Sequence, residues 1–166
     1  AAATICNNTS TNIQIASSQV GVNYQLRLHP ANTNVGSAVA GTGGTINLPT
    51  GNLTATTTFN VLATNPTTTC FRQMTTTVTV TVYTNLTGAA FVYTNPTSCT
   101  ASNGTVTITA PTGGSGTYNY SINSTDGTNG AWQAPASFTG IADAASGTGW
   151  VRNAAVPYCA VNLGTF

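Results

Sequence analysis

Residues 74–84 read MTTTVTVTVYT. Val78, Val80 and Val82 alternate with Thr77, Thr79 and Thr81, so valine forms one face and threonine the other. That period of two marks a half-buried β-strand. The outward face raises a question, because it carries only threonine. Exposed strands usually include Lys, Glu or Arg, which keep the surface soluble and discourage edge-to-edge pairing.

The same shortage runs through the chain. Its 166 residues include three Lys+Arg, two Asp+Glu and one His, and charged residues make up 3%. An ordinary globular domain has about 25%. The hydrophobic fraction is 40%, so the chain has the apolar content that disordered chains lack. Threonine, asparagine, serine and glycine stand where charges would be. Three arginines (Arg27, Arg72, Arg152) cannot neutralise the phosphates of a nucleic acid, and an anionic lipid surface is excluded on the same ground. No apolar run approaches the roughly 18 residues of a membrane span. No positively charged start with an apolar core is visible either.

Outward from the opening stretch, the pattern is short strands and turns with no helical period. TNIQIAS places Ile13 and Ile15 inward. NYQLRLH places Tyr24, Leu26 and Leu28 inward and Gln25, Arg27 and His29 outward. TTTFNVLAT puts Phe59, Val61 and Ala63 on one face, and CFRQMTTTVTVTV reads as one closing strand. The glycine-rich GTGGT at residues 41–45 reads as a hairpin turn; no lysine or helix follows, so it is not a phosphate cradle. After residue 83 the pattern starts again. GTVTITAPTGGSG alternates Val106 and Ile108 with threonines and turns at Gly113 to Gly116. TYNYSIN places Tyr118, Tyr120 and Ile122 inward. Strands every 8–14 residues predict an all-β chain of two tandem β-sandwich domains, 1–83 and 84–166.

Four cysteines divide evenly between these halves, Cys6 and Cys70 in one, Cys99 and Cys159 in the other. Four cysteines allow three connectivities. The near-equal separations favour Cys6–Cys70 and Cys99–Cys159, one disulfide per domain. Each would close a loop of about 60 residues, worth roughly 4 kcal/mol in the chain-entropy model. Zinc is disfavoured, since there is no C-x-x-C pair and only His29 is available to assist. Disulfides point to an extracellular or cell-surface setting.

Two longer segments resemble a known group. SSQVGVNYQLRLHPANTNVGSAVAGTGGTINLPTGNLTATTTFNVLATNPTTTC resembles the immunoglobulin-like repeats of large secreted surface proteins of Bacteroidota. NGTVTITAPTGGSGTYNYSIN followed by WQAPASFTGI resembles the SprB-type repeat of gliding adhesins from the same group. The end of the second segment, WVRNAAVPYCAV, follows that pattern only loosely. The resemblance implies immunoglobulin-like domains, export and a role in adhesion, gliding or surface fibres. It implies no catalytic residues and no cofactor.

The residues agree that this is not an enzyme. General acid–base work needs paired carboxylates or histidine; the chain offers Asp126, Asp143 and His29, and nothing places them together. STDGTNG, residues 124–130, has Asp126 and Asn129 as oxygen donors, but calcium wants several carboxylates. An Asp-Gly turn explains the stretch better. N-x-[ST] triplets at Asn7, Asn8, Asn52, Asn85, Asn103 and Asn123 are candidate glycan acceptors, as are Thr57, Thr68 and Thr76 in the threonine runs 56–58, 67–69 and 75–77.

The threonine face then has three explanations: sister chains cover it, sugars coat it, or it is a resilient exposed surface whose neutrality does no specific job. The first two are compatible and are favoured together. Charges would be desolvated on assembly, whereas hydroxyls can pair across an interface. Candidate donor strands are the ends, AAATI and CAVNLGTF; in the latter Val161, Leu163 and Thr165 share a face. The reading is a glycosylated structural subunit of an extracellular filament or long adhesin, its partner being copies of itself in head-to-tail assembly. The alternative is a carbohydrate-binding adhesion module in which Trp132, Trp150, Tyr118 and Tyr120 stack on sugar rings.

Overall fold

A computed structural model describes residues 4–143 and 145–166. The chain is all-β, and no helix occurs among the described residues. It divides into two compact units, Ala1–Tyr83 and Thr84–Phe166.

Unit 1 contains β1 (Thr4–Cys6), β2 (Asn12–Ile15), β3 (Asn23–Leu28), β4 (Asn34–Ala40), β5 (Ile46–Pro49), β6 (Thr57–Thr64), β7 (Phe71–Gln73) and β8 (Val78–Tyr83). One sheet runs β1-β8-β6-β3-β4, with β7 also on β6; the other holds only β2 and β5. Both feed one apolar cluster. Ile13, Ile46 and Leu48 come from the small sheet, and Ile5, Tyr24, Leu26, Phe59, Val61 and Val80 from the large one. The period-two reading holds here: Val80 is buried, Val78 and Val82 pack against the cluster, and Thr79 is exposed.

Two local expectations fail. GTGGT is not a hairpin. β4 pairs with β3 and β5 with β2, so this turn carries the chain from one sheet to the other. Gly41 is required there, because a Cβ would lie 2.0 Å from the Gln19 carbonyl oxygen. The supposed closing strand is also broken. β7 ends at Gln73, opposite Leu62, and β8 begins at Val78, opposite Phe59. Residues 74–77 therefore span a gap that β6 covers with Asn60 and Val61 alone. The two surplus residues force the chain out of the sheet above Asn60.

Unit 2 contains β9 (Phe91–Thr94), β10 (Gly104–Ile108), β11 (Tyr118–Ser121), β12 (Ser137–Ile141), β13 (Thr148–Asn153) and β14 (Ala160–Thr165). Its sheets are β12-β10-β9 and β11-β13-β14. Val106 and Ile108 from the first sheet meet Tyr120 and Val151 from the second, with Leu86 completing the buried cluster.

The cysteines overturn the pairing drawn from spacing. Cys6 and Cys159 are disulfide-bonded, while Cys70 and Cys99 are free and exposed. Cys6–Cys70 and Cys99–Cys159 are therefore not formed, and register explains why. Cys6 lies level with Tyr83, past the Thr57 end of β6. The Cys70 carbonyl accepts from the Asn65 N–H, past the Thr64 end. The 8 residues of β6 lie between them, roughly 25 Å at about 3.3 Å per residue. Bonded cysteines need Cα atoms within about 7 Å. In unit 2 the Cys159 carbonyl accepts from Asn153 at the end of β13. Cys99 follows β9, whose Tyr93 meets Phe166 near the start of β13. Again the two lie at opposite ends.

Candidate functional site

The detour at residues 74–77 separates two hollows: Thr76 lines one, Thr75 and Thr77 the other, and Met74 both. On the inner side, Met74 and Thr76 line a groove of about 210 Å3 with Ile13, Gln14, Ile15, Ala16, Phe59, Val61 and Val78. No β5 residue takes part, so the groove runs along the free side of β2. The cause is the strand count: a two-stranded sheet faces a larger one, and the shortfall leaves core side chains reachable from outside. The adjoining edge, Asn12–Ile15, is NIQI. It has no charge and no proline, two of the devices that protect sheet edges.

On the outer side, Thr75 and Thr77 line a cleft of about 400 Å3 with His29, Pro30, Asn32, Asn60, Gln73 and Met74. Its floor is Asn60, 5% exposed. The Asn60 Nδ2 donates to Asn32 Oδ1 at 2.7 Å, but Asn60 Oδ1 is buried without a partner. Register places Arg27 beside Asn60. The guanidinium acts as a brace: Nε donates to the Asn32 carbonyl at 2.8 Å and Nη1 to Gln73 Oε1 at 3.2 Å. Gln73 Nε2 in turn donates to the Val61 carbonyl. These bonds fix the walls, and no Asp, Glu, Lys or Arg lines the cleft.

Threonine hydroxyls on the sheet surface pair sideways. Thr58 and Thr79, cross-strand neighbours, have oxygens 2.8 Å apart. In unit 2, Thr87 and Thr112 do the same at 3.0 Å. Thr109 both accepts from the Ala90 N–H and donates to its carbonyl. Such faces are polar enough to be wetted yet leave few hydrogen bonds unmet.

The candidate glycan acceptors scatter. Asn8, Asn52, Asn85, Asn103, Asn123, Thr68 and Thr76 are exposed, and Asn7 is half-buried. Thr57 pairs with the inward-facing Val80, so it lies on the core side of β6; Thr58 is its outward neighbour. The Asn103 amide is closed onto Thr97 by two hydrogen bonds, and Asn123 Oδ1 accepts from Ala131 and Ser121. Of the candidate donor ends, Ala1 to Ala3 lie outside the described residues, and Thr4 and Ile5 belong to β1. At the other end Val161, Leu163 and Thr165 lie in β14, hydrogen-bonded along β13. Val161 and Leu163 pack on the unit's own cluster, and Thr165 is exposed.

The proposed aromatic platform is not assembled as a flat patch. Tyr120 is core, and the Tyr118 hydroxyl donates to the Gly113 carbonyl. The Arg152 guanidinium sits 4.0 Å over one face of Trp132, whose indole N–H donates to the Asn129 carbonyl. Burial lowers the Arg152 pKa from its ordinary value. Asp126 Oδ1 accepts from the backbone N–H groups of Asn129 and Thr128 and from the Thr128 hydroxyl. These bonds hold its carboxyl below the usual range. Its oxygen closes an Asx turn. Among the described residues, no three His, Cys, Asp or Glu side chains gather as a metal site.

Neither hollow was visible in the sequence. Asn60 occupies an ordinary outward position in an alternating strand, and the one available signal was the excess of residues between Gln73 and Val78. No family model matches the chain, and no curated protein matches it.

Proposed function

We propose that the chain is a structural subunit of an extracellular filament or long surface adhesin, built by strand addition between copies. The supporting observation is the open groove beside β2: an uncharged, unprotected edge next to the partly buried Ile15, Met74 and Val78, with the buried Phe59 and Val61 also in the lining. A strand added there would gain backbone hydrogen bonds from β2 and bury alternate side chains in the groove, the logic of β-augmentation. It would also raise the small sheet of unit 1 to three strands, giving both units the two-layer form expected of immunoglobulin-like sandwiches. The contact is heterologous, since the accepting groove and the donated strand are different surfaces, and heterologous contacts propagate unless rotation closes them.

A neutral exterior suits this role. Hydroxyl pairs such as Thr58 with Thr79 can be covered by a neighbour without burying an ion, which is costly. The disulfide state of Cys6 and Cys159 accords with an oxidising compartment, and no helix among the described residues is long and apolar enough to cross a membrane. Glycans on exposed acceptors such as Asn8, Asn52 or Thr68 would add solubility to whatever surface assembly leaves bare. Negative-stain imaging with sedimentation velocity tests the reading. Elongated multimers that grow with concentration are expected; a single monomeric species throughout would contradict it. The second reading, carbohydrate binding, is favoured by the outer cleft.

A further inference from the structure

We propose that the outer cleft of unit 1 is a binding site for a neutral saccharide. This is separate from assembly, because the cleft lies on the opposite side of residues 74–77 from the β2 groove. A buried side-chain acceptor with no partner is uncommon and calls for an occupant. Asn60 Oδ1 is such an atom, and Asn60 lines a cavity with room for a ligand. Its unused lone pairs require a hydrogen-bond donor. The hydroxyls of Thr75 and Thr77, which have no protein partner among the described residues, line the same cleft, with the imidazole of His29 at its exposed wall. Hydroxyls and imidazole both donate and accept. Pro30 and Met74 add an apolar wall.

This combination matches the amphipathic shape of a sugar ring, a rim of hydroxyls around C–H faces. Other ligand classes fit less well. No carboxylate lines the cleft, so nothing compensates a metal cation. No lysine or arginine lines the cleft, and the nearby Arg27 gives its Nε and one Nη1 donor to Asn32 and Gln73, so the lining offers a phosphate no cationic partner of its own. The floor is a side chain rather than an open strand edge, so an extended peptide finds no backbone ladder there.

The probes are neutral hexoses and N-acetylhexosamines, as mono- and disaccharides, added at millimolar concentration to the isotopically labelled whole chain and followed by NMR. To separate this from assembly, the chain carries Ala16→Lys, which blocks only the groove. Shifts concentrated at His29, Asn60, Thr75 and Thr77 are expected with at least one sugar. Thr77→Val and His29→Ala, both at exposed positions, should each weaken that binding about tenfold while leaving the rest of the spectrum unchanged. Asn60→Asp, which keeps the shape and replaces the amide, should change which sugar is preferred. No shift with any neutral sugar, binding of acidic sugars alone, or binding that survives both Thr77→Val and His29→Ala would overturn the proposal. Ordered water at Asn60 with no saccharide in a soaked crystal would overturn it equally.

Discussion

The two units have the same poverty of charge and treat their outer surfaces differently. In unit 2, residues 122–132 fold across the outer side of β13. Gly127 sits against Trp150, where a Cβ would come within 2.8 Å of the ring; Asp126 ties the turn, and Trp132 stacks on Arg152. In unit 1 the comparable stretch, residues 74–77, leaves the sheet without covering it, and both of its sides open into hollows. Neutral β-surfaces can thus be closed by a loop of the same chain or left as sites for something else. Unit 2 takes the first course over β13, with a hollow of about 240 Å3 left beside the loop at Ile122, Trp132 and Phe138, and unit 1 takes the second.

The sharpest way to break this comparison is through the cores, which form separate clusters. Phe59 is 1% exposed at the centre of unit 1. Phe59→Ala should cost about 3–5 kcal/mol. Hydrogen exchange should show lost protection across β3, β6 and β8 while β10 and β13 keep theirs. Equal loss in both units would show that they do not hold their stability separately.

A smaller effect is expected from uncovering unit 2. Trp132→Ala removes the stack on Arg152 and the hydrogen bond to the Asn129 carbonyl, together about 1–2 kcal/mol. Faster exchange should be confined to residues 122–132 and the adjoining part of β13. An unchanged loop would mean that Trp132 is not its clasp.

The smallest effect concerns pH. The Asp126 carboxyl titrates below the ordinary value in the folded chain. Its contribution is therefore present above the ordinary carboxylate range, near pH 4, and is lost as pH falls through the lowered folded value. Amide signals of Thr128 and Asn129 should move in that acidic window, and Asp126→Asn, which keeps the accepting oxygen, should abolish the movement without opening the turn. A titration at or above the ordinary carboxylate value would contradict the capping role.

Much of the strand pattern was legible because alternation reports which face is buried: Tyr24, Leu26 and Leu28 in β3, Phe59 and Val61 in β6, Val80 in β8. What alternation does not carry is where a ladder skips. Threonine favours strands whether paired or not, so Thr75 and Thr77 read as strand although they lie in a detour. The cysteines failed for a related reason. Sequence separation measures loop length, but bonding depends on which end of a strand a residue occupies, and Cys6 and Cys70 flank opposite ends of β6. Asn60 stayed hidden because its isolation comes from residues 74–77, which only the register places above it.

The most direct test of strand addition is a charge placed in the groove beside β2. Ala16 is exposed and lines that groove, so Ala16→Lys should change folding stability by no more than about 0.5 kcal/mol. Sedimentation of the two proteins side by side should show concentration-dependent multimers for the native chain and monomer for Ala16→Lys. Multimers of the same size from both proteins would contradict assembly at this edge.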